Sequence, residues 1–180
     1  MPRPPQSLKA RALQWLAQRE HSRVELRRKL LRLARQRAAA SLADEGSGLD
    51  AEAAAGAVEP AAEVDALLDW LVAHRYLSDT RFVESRVNAR TARYGNLRIR
   101  QELGQHGAAL DAATAERLKD SELARAQAVW ARKYGKAPAT AATAAAERAR
   151  QMRFLAGRGF SNDVIWRVLR GSESDTNDGS

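Results

Sequence analysis

The chain contains no cysteine, few aromatic residues and no long apolar run. The absence of cysteine excludes disulfides, thiolate nucleophiles and cysteine-based metal sites, and it fits a reducing compartment. Because no segment approaches about 18 consecutive apolar residues, the sequence predicts no membrane-spanning helix. Aromatic residues make up 6% of the chain. Because β-branched residues are also sparse beside abundant Ala, Leu, Arg, Gln and Glu, the composition favours an all-α protein.

The amino terminus does not have the pattern of a secretory signal. A proline-rich stretch, residues 1–6, is followed directly by an amphipathic segment rather than by an apolar core. We therefore expect a soluble, cytoplasmic protein in which residues 1–6 form a disordered arm. We also expect it to be a monomer.

Charge is distributed unevenly along the chain, whose formal net charge is +8. Residues 1–37 carry a net charge of +9, residues 38–80 carry −8, and residues 81–180 carry +7. Two basic blocks that flank an acidic block favour a polyanionic partner, either a nucleic acid or an acidic protein surface. The alternative interpretation is that the basic residues only solvate Ala- and Leu-rich helices.

The sequence contains no residue pattern typical of catalysis or metal binding. The three histidines, His21, His74 and His106, lie singly at predicted helix ends, where no second ligand converges. No glycine-rich phosphate loop occurs, and Asp65 and Asp69 share a predicted solvent face. Because no activated nucleophile is present either, the sequence predicts a non-enzyme without metal or cofactor.

Caps and apolar periodicity predict a first unit of three helices over residues 7–77. Ser22 and Glu25 have the spacing of a capping box at the start of the second helix. Residues 38–59 are rich in Ala, Gly and acidic residues without apolar periodicity, which predicts a flexible insertion. The side chains expected to face inward from the third helix are Val64, Leu67, Leu68, Leu71 and Val72.

A second three-helix unit is predicted over residues 78–120. Ser78 or Asp79 is a natural N-cap for its first helix. Gly95 is expected to end that helix in a left-handed conformation, and Asn96 to cap the next helix.

A third unit is predicted over residues 121–170. The second unit is expected to end with a short helix that Asp111 caps and that ends near Lys119, and Ser121 to begin the first helix of the third unit. Since no unit is large enough to bury a core well alone, we expect the three units to stack as repeats. The polar residues 171–180 are expected to form a disordered tail.

Arginines recur at helical spacing on two of the predicted helices. The central stripe consists of Arg86, Arg90 and Arg93, and the amino-terminal stripe consists of Arg28, Arg32 and Arg35. In both stripes the spacing i, i+4, i+7 places the three side chains on one helix face. Arg98 and Arg100 follow on the next helix. Such faces suit an anionic partner, with the solvation of apolar helices as the alternative.

One set of residues is specific in combination. It comprises Tyr76-Leu77-Ser78-Asp79, Arg81-Phe82, Arg90, Gly95, Arg98-Ile99 and Glu102-Leu103. The set resembles the signature of the RecX family, bacterial regulators of the RecA recombinase, and a looser resemblance extends from about Ala12 to Leu169. It implies three tandem three-helix repeats in an elongated, curved helical array. The insertion at residues 38–59 departs from the short connection usual in that family.

The resemblance also implies a function. RecX proteins are understood to bind RecA filaments, to lie along the filament groove, and to restrain ATP hydrolysis, strand exchange and repressor cleavage in DNA repair and the SOS response. The residues expected to contact acidic RecA surface, or DNA phosphate within the filament, are Arg86, Arg90, Arg93, Arg98, Arg100, Arg28, Arg32 and Arg35. Structural roles are expected for Asp79 as a cap, for Gly95 as a helix stop, and for Phe82, Ile99 and Leu103 in the core.

A different interpretation follows from the residues alone. Three-helix units with a capped turn resemble helix-turn-helix modules, so the chain could be a non-specific DNA-binding protein. The arginine stripes suit phosphate better than base edges, and no helix shows the Asn, Gln and Arg mixture that reads bases. The four tryptophans, Trp15, Trp70, Trp130 and Trp166, fit core positions or, alternatively, a base-stacking surface.

Overall fold

The computed structural model describes residues 6–44, 59–135 and 144–177. These residues form helices and no strand, which confirms the all-α prediction. The helices are α1 (Leu8–Gln18), α2 (Arg23–Asp44), α3 (Pro60–Ala73), α4 (Asp79–Thr91), α5 (Asn96–Gln105), α6 (Ala112–Tyr134), α7 (Ala144–Gly157) and α8 (Asn162–Asn177). None of these helices is long and apolar enough to cross a membrane. The chain divides into two compact units, Met1–Phe82 and Val83–Ser180.

Local caps begin the helices of the first unit where the sequence predicts them. The Ala10 amide donates to Ser7 Oγ at the start of α1, and the Glu25 amide donates to Ser22 Oγ at the start of α2, both at 3.1 Å. Helices α1, α2 and α3 bury one shared core. Its buried members are Leu8, Ala12, Leu26, Leu30, Ala34, Val64, Leu68, Leu71 and Leu77.

Two expectations about this unit are wrong. Val72 is 46% exposed because the buried stripe of α3 follows Val64, Leu68 and Leu71, and the next position rotates out of it. Helix α2 continues to Asp44 because the residues after Arg37 include four alanines, the strongest helix formers. The predicted flexible insertion therefore begins with helix, and its residues 45–58 lie outside the described part of the chain.

Asp79 caps a helix other than its own. The Arg81 amide donates to Ser78 Oγ at 3.3 Å, so Ser78 is the N-cap of α4. The Asp79 carboxylate instead accepts from the Arg23 amide at 2.8 Å, at the first residue of α2. A carboxylate at this end of a helix is favoured by both the free N–H groups and the helix dipole. Asp79 is therefore a capping residue, as predicted, but it caps α2, which is distant in sequence, rather than α4.

The turn between α3 and α4 contains a strained arginine. Arg75 has φ 60°, a left-handed conformation more typical of glycine. The amides of Tyr76 and Leu77 both donate to the carbonyl of Leu71, which closes the end of α3. Arg81 Nη2 then donates to the carbonyls of Arg75 and Tyr76, each at 3.1 Å. These hydrogen bonds hold Arg75 in its unfavourable conformation.

We expect Arg75→Gly to stabilise the protein by about 0.5–1 kcal/mol. A left-handed backbone costs a non-glycine residue about 1–2 kcal/mol, and glycine relieves that strain. The greater freedom of glycine in the unfolded chain opposes this stabilisation but offsets only part of it. Arg75→Ala is the control, because it removes the side chain and keeps the strained conformation. Urea unfolding should rank the glycine variant above the alanine variant. The reverse order would show that the backbone at position 75 is not strained.

In the second unit, one continuous helix replaces two predicted ones. The Thr114 amide donates to Asp111 Oδ1 at 2.8 Å, which confirms Asp111 as the cap of α6. The expected break between Lys119 and Ser121 is wrong. Ser121 Oγ donates to the Arg117 carbonyl at 2.8 Å, a back-bond within the helix rather than a cap at its start. The predicted units 78–120 and 121–170 therefore share α6.

The end of the chain is more regular than the sequence predicts. Helix α8 runs through Gly171 to Asn177, so most of the expected disordered tail, residues 171–180, has helical backbone. One buried cluster of this unit lies among α6, α7 and α8. Its buried members are Ala126, Val129, Leu155, Phe160, Val164, Ile165, Val168 and Leu169.

Two turns of the second unit contact each other through their backbones. The Gly95 amide donates to the Arg158 carbonyl at 2.9 Å, and the Leu97 amide donates to the Gly159 carbonyl at 3.0 Å. Gly95 has φ −79°, so the predicted left-handed conformation at this position is wrong; Gly159 has φ 79°. A Cβ on Gly95 would lie 2.2 Å from the Gly159 carbonyl oxygen. Glycine is needed at position 95 for close approach rather than for its φ.

A buried carboxylate takes the capping role that the sequence assigns to Asn96. Gly95 is the N-cap of α5, and Glu122 Oε1 accepts from the Asn96 amide at 2.9 Å. The other oxygen, Glu122 Oε2, accepts from Ser161 Oγ at 3.2 Å, next to the start of α8. The Asn96 side chain donates to the Leu118 carbonyl and accepts from Arg125. Burial lowers the pKa of Arg125, and the nearby Glu122 charge opposes that shift.

Candidate anion-binding surface

Two arginines of the central stripe are neutralised within the chain. Arg86 Nη1 lies 3.2 Å from Glu102 Oε1, and Arg90 donates through Nε and Nη2 to the same carboxylate at 2.9 Å. Burial alone raises the pKa of Glu102, but the hydrogen bonds and charge of Arg90, with the charge of Arg86, bring it below its ordinary value. Arg86 and Arg90 therefore tie α4 to α5 while remaining at the surface.

The other three predicted arginines point outward, although Arg93 lies in the turn after α4 rather than on the predicted helix. Arg93, Arg98 and Arg100 are exposed, and none forms an ion pair with a carboxylate among the described residues. The Arg98 guanidinium lies over the Tyr94 ring, 4.8 Å from its centroid. The predicted set on α4 and α5 therefore separates into two paired cations and three outward-facing ones.

The arginines of α2 separate in the same way. Arg23 donates to Asp69 at 2.6 Å, and Arg27 donates through Nε and Nη2 to Asp65 at 2.6 and 2.7 Å. The hydrogen bonds from Arg27 lower the pKa of the Asp65 carboxyl. All three arginines of the amino-terminal stripe are exposed and have no hydrogen bond or ion pair with the described residues. The helix thus pairs one set of arginines with α3 and leaves another set exposed to solvent.

Further cations, which the sequence analysis did not single out, lie over aromatic rings. Lys133 Nζ is 4.1 Å from the Phe154 centroid, and the Arg158 guanidinium lies 4.7 Å from the same ring and 6.0 Å from Tyr94. With Arg98 on Tyr94, these residues form what we call the cation–aromatic ladder: Lys133, Phe154, Arg158, Tyr94 and Arg98. The spacing of Phe154 and Arg158, four residues apart, was a signal that could have pointed to it.

Tryptophans serve mainly as core residues. Trp15 and Trp70 pack against the core of the first unit, and Trp130 packs against that of the second. Trp70 also stacks on His74, with ring centroids 4.0 Å apart. Trp166 differs, since it is 44% exposed. The core interpretation therefore holds for the first three tryptophans.

No metal site is found in the described residues, which contain no group of three or more His, Cys, Asp or Glu side chains able to hold an ion. His21 is 1% exposed, and its Nδ1 contacts the Arg19 carbonyl at 2.9 Å. Its Nε2 lies 3.0 Å from Lys29 Nζ, which can only donate, so Nε2 accepts. Burial lowers the pKa of His21, in keeping with a neutral ring. His74 Nδ1 contacts the Trp70 carbonyl at 2.8 Å.

Comparison with known proteins decides the family. Models of the second and third three-helix domains of RecX match residues 78–115 and 120–169. The chain is 44% identical to the regulatory protein RecX of Ralstonia nicotianae, over 99% of this chain and 96% of that protein. The chain belongs to the RecX family. The RecX protein of Herbaspirillum seropedicae is 43% identical over the full length of both chains.

A solved RecX structure supports the fold. The crystal structure of RecX from Lactobacillus salivarius matches with a TM-score of 0.60 at 17% identity, covering 91% of this chain and 93% of that one. The family resemblance of the sequence motifs is therefore confirmed. The match to the second RecX domain covers α4, α5 and the start of α6. The match to the third RecX domain covers most of α6, α7 and the first part of α8, so both domains include part of α6.

Proposed function

We propose that this RecX protein is a non-enzymatic, cytoplasmic regulator that binds RecA nucleoprotein filaments as a monomer. Its binding inhibits RecA ATPase, strand exchange and coprotease activity in DNA repair and the SOS response. The observation that carries the proposal is the similarity, over almost the whole chain, to proteins named as regulatory RecX proteins. No cofactor is required, because the proposed action is to occupy and restrain a filament.

The outward-facing arginines supply the contact. They are the amino-terminal stripe on α2, Arg93 in the turn after α4, and Arg98 and Arg100 on α5, and all of them are exposed. Arginine pairs well with carboxylates and phosphates because its planar guanidinium presents two donors side by side. Within the second unit, Arg86 and Arg90 contribute further positive charge while they bind Glu102. The partner groups are acidic RecA side chains and DNA phosphate within the filament.

The helix-turn-helix interpretation, non-specific binding to DNA without RecA, stays an alternative prediction. It uses the same arginines, since phosphate and carboxylate are recognised by the same donors. The two functions differ in what the protein must touch. A filament regulator gains affinity when RecA is present on the DNA, whereas a DNA-binding protein competes with RecA for the strand.

Charge reversal of the amino-terminal stripe tests the proposal. We expect Arg28→Glu with Arg32→Glu to weaken co-sedimentation with RecA filaments about tenfold, because two attractive contacts become repulsive. Helix content should not change, because both side chains are exposed and neither forms a hydrogen bond or ion pair with the described residues. The matched control is Arg153→Glu with Arg167→Glu, which makes the same change in net charge on α7 and α8.

Three outcomes count against this assignment. An equal loss in both double variants would show that net charge, not a particular surface, governs binding. Unchanged binding by the stripe variant would remove the stripe from the interface. A wild-type protein that binds bare single-stranded DNA better than RecA-coated DNA would favour the DNA-binding alternative.

A further inference from the structure

The cation–aromatic ladder is assembled from four helix ends of the second unit. Tyr94 follows α4 and Arg98 lies in the first turn of α5, while Lys133 lies in the last turn of α6 and Arg158 follows α7. The backbone contact between the two glycine-containing turns brings these ends together, because Gly95 donates to the carbonyl of Arg158 itself. A cation and a ring then alternate along the ladder, with cation-to-centroid distances of 4.1, 4.7, 6.0 and 4.8 Å.

The ladder carries three positive charges, and the Glu102 carboxylate lies one helical turn from Arg98 on α5. Among the described residues, Lys133, Arg158 and Arg98 form no ion pair with a carboxylate. Arg158 is oriented instead by donating Nη1 to the Arg93 carbonyl at 3.1 Å. Glu102 lies on the α4–α5 flank, where it binds Arg86 and Arg90. Three cations therefore follow one another along the rings.

This alternation distinguishes between possible anions. An acidic protein surface requires cations only, and it gains nothing from rings beneath them. Single-stranded nucleic acid presents both phosphates and flat bases. Other proteins bind it in basic grooves that are interleaved with aromatic side chains. Bases also stack on the planes of arginine side chains, and Arg98 is exposed above Tyr94. A duplex keeps its bases stacked inside and cannot use these faces.

We propose that the cation–aromatic ladder binds a single strand of nucleic acid, through its phosphates and unstacked bases. Neither arginine stripe includes Lys133, Phe154 or Arg158, so this site extends beyond the surface proposed above for RecA. The proposal does not depend on RecA binding. It is tested with the full chain in the absence of RecA, so that failure of one proposal leaves the other open.

The test compares ligands that differ in one feature. Fluorescence anisotropy should show that a short oligo-dT strand binds about tenfold more tightly than an abasic strand of equal length, because only the former can stack. A duplex of that length should also bind more weakly than oligo-dT. Polyglutamate, which carries charge without bases, should be a poor competitor.

Two exposed cations provide the variants. We expect Lys133→Gln and Arg98→Gln each to weaken oligo-dT binding and to reduce the slope of log affinity against log salt by about 0.7. Arg153→Gln removes an exposed cation of α7 outside the ladder and should leave both quantities unchanged. Tyr94→Leu keeps apolar bulk without the ring, so it should weaken oligo-dT binding and leave binding of the abasic strand unchanged.

Several results would overturn the assignment. Equal affinity for oligo-dT and the abasic strand would remove the role of the rings. Displacement of oligo-dT by polyglutamate at matched charge would indicate an acidic protein as the partner. If Lys133→Gln and Arg98→Gln lose no more affinity for oligo-dT than Arg153→Gln does, the ladder is not the binding site. This comparison remains valid even if Tyr94→Leu lowers the helix content.

Discussion

Gly95→Ala is expected to lower the free energy of unfolding by about 3 kcal/mol, at the upper end of overpacking effects. The added Cβ would lie 2.2 Å from the carbonyl oxygen of Gly159 and 2.3 Å from the amide nitrogen of Phe160. Both atoms belong to backbone, which cannot swing away as a flexible side chain can. Thermal unfolding followed by circular dichroism should therefore show a fall in melting temperature of roughly 6–12 °C.

Gly104→Ala is the matched control for this experiment. Gly104 lies within α5, and no atom lies within 4 Å of the position its Cβ would take. Since alanine is favoured over glycine by about 1 kcal/mol inside a helix, this variant should be slightly more stable than the wild type. Similar melting temperatures for the two variants would contradict the close backbone contact between the α4–α5 and α7–α8 turns.

Glu122→Ala is expected to destabilise the protein by about 3 kcal/mol, as breaking a buried charged network does. Glu122 is 5% exposed and accepts from the Asn96 amide and from Ser161 Oγ. Its removal leaves a buried N–H group without that acceptor at the start of α5, and it also removes a negative charge close to the half-buried Arg125. Urea unfolding measures the loss.

Two variants show whether the network or the charge is responsible. Glu122→Gln retains an oxygen that can accept from Asn96, so it should cost about 1 kcal/mol, near the value of one hydrogen bond. Glu116→Ala on the same helix removes an exposed carboxylate that pairs only with Lys119 among the described residues, and it should have little effect. A loss at Glu122→Ala no larger than at Glu116→Ala would contradict the proposed role of Glu122.

The sequence predicts features that depend on near neighbours. Ser22 and Asp111 lie three residues before the amides that they accept from, so the capping rule finds both. Asp79 and Glu122 cap helices whose first residues lie 56 and 26 positions away. No local pattern contains that information, because it arises only when the units fold. The all-α class is equally local, since it follows from composition.

Other features were predicted at the right position for the wrong reason. The sequence predicts that position 95 needs glycine for a left-handed turn, but its backbone is extended, and glycine is needed there because the chain passes close to Gly159. Arg86 and Arg90 were placed on a helix face for an external anion, and Glu102 of the next helix pairs with both. Helical spacing specifies the direction of a side chain and cannot specify which carboxylate of another element it meets.

The candidate surface could be predicted only in part. The amino-terminal stripe is exposed as its spacing indicates, because apolar residues occupy the opposite face of α2. The cation–aromatic ladder was missed because Tyr94 and Phe154 lie 60 positions apart in the sequence and approach only through the contact of two turns. The Phe154–Arg158 and Tyr94–Arg98 pairs are local in sequence, and each is a weak signal by itself.

Filament regulation is distinguished from competition for the strand by RecA ATPase on single-stranded DNA, measured with this protein added below the amount that coats the DNA. Its own affinity for the same DNA, at the same salt concentration, is the reference. If the protein regulates the filament, we expect strong inhibition of RecA ATPase at these substoichiometric levels. Inhibition that appears only when the protein saturates the DNA would contradict the account, because it would reduce the effect to competition for the strand.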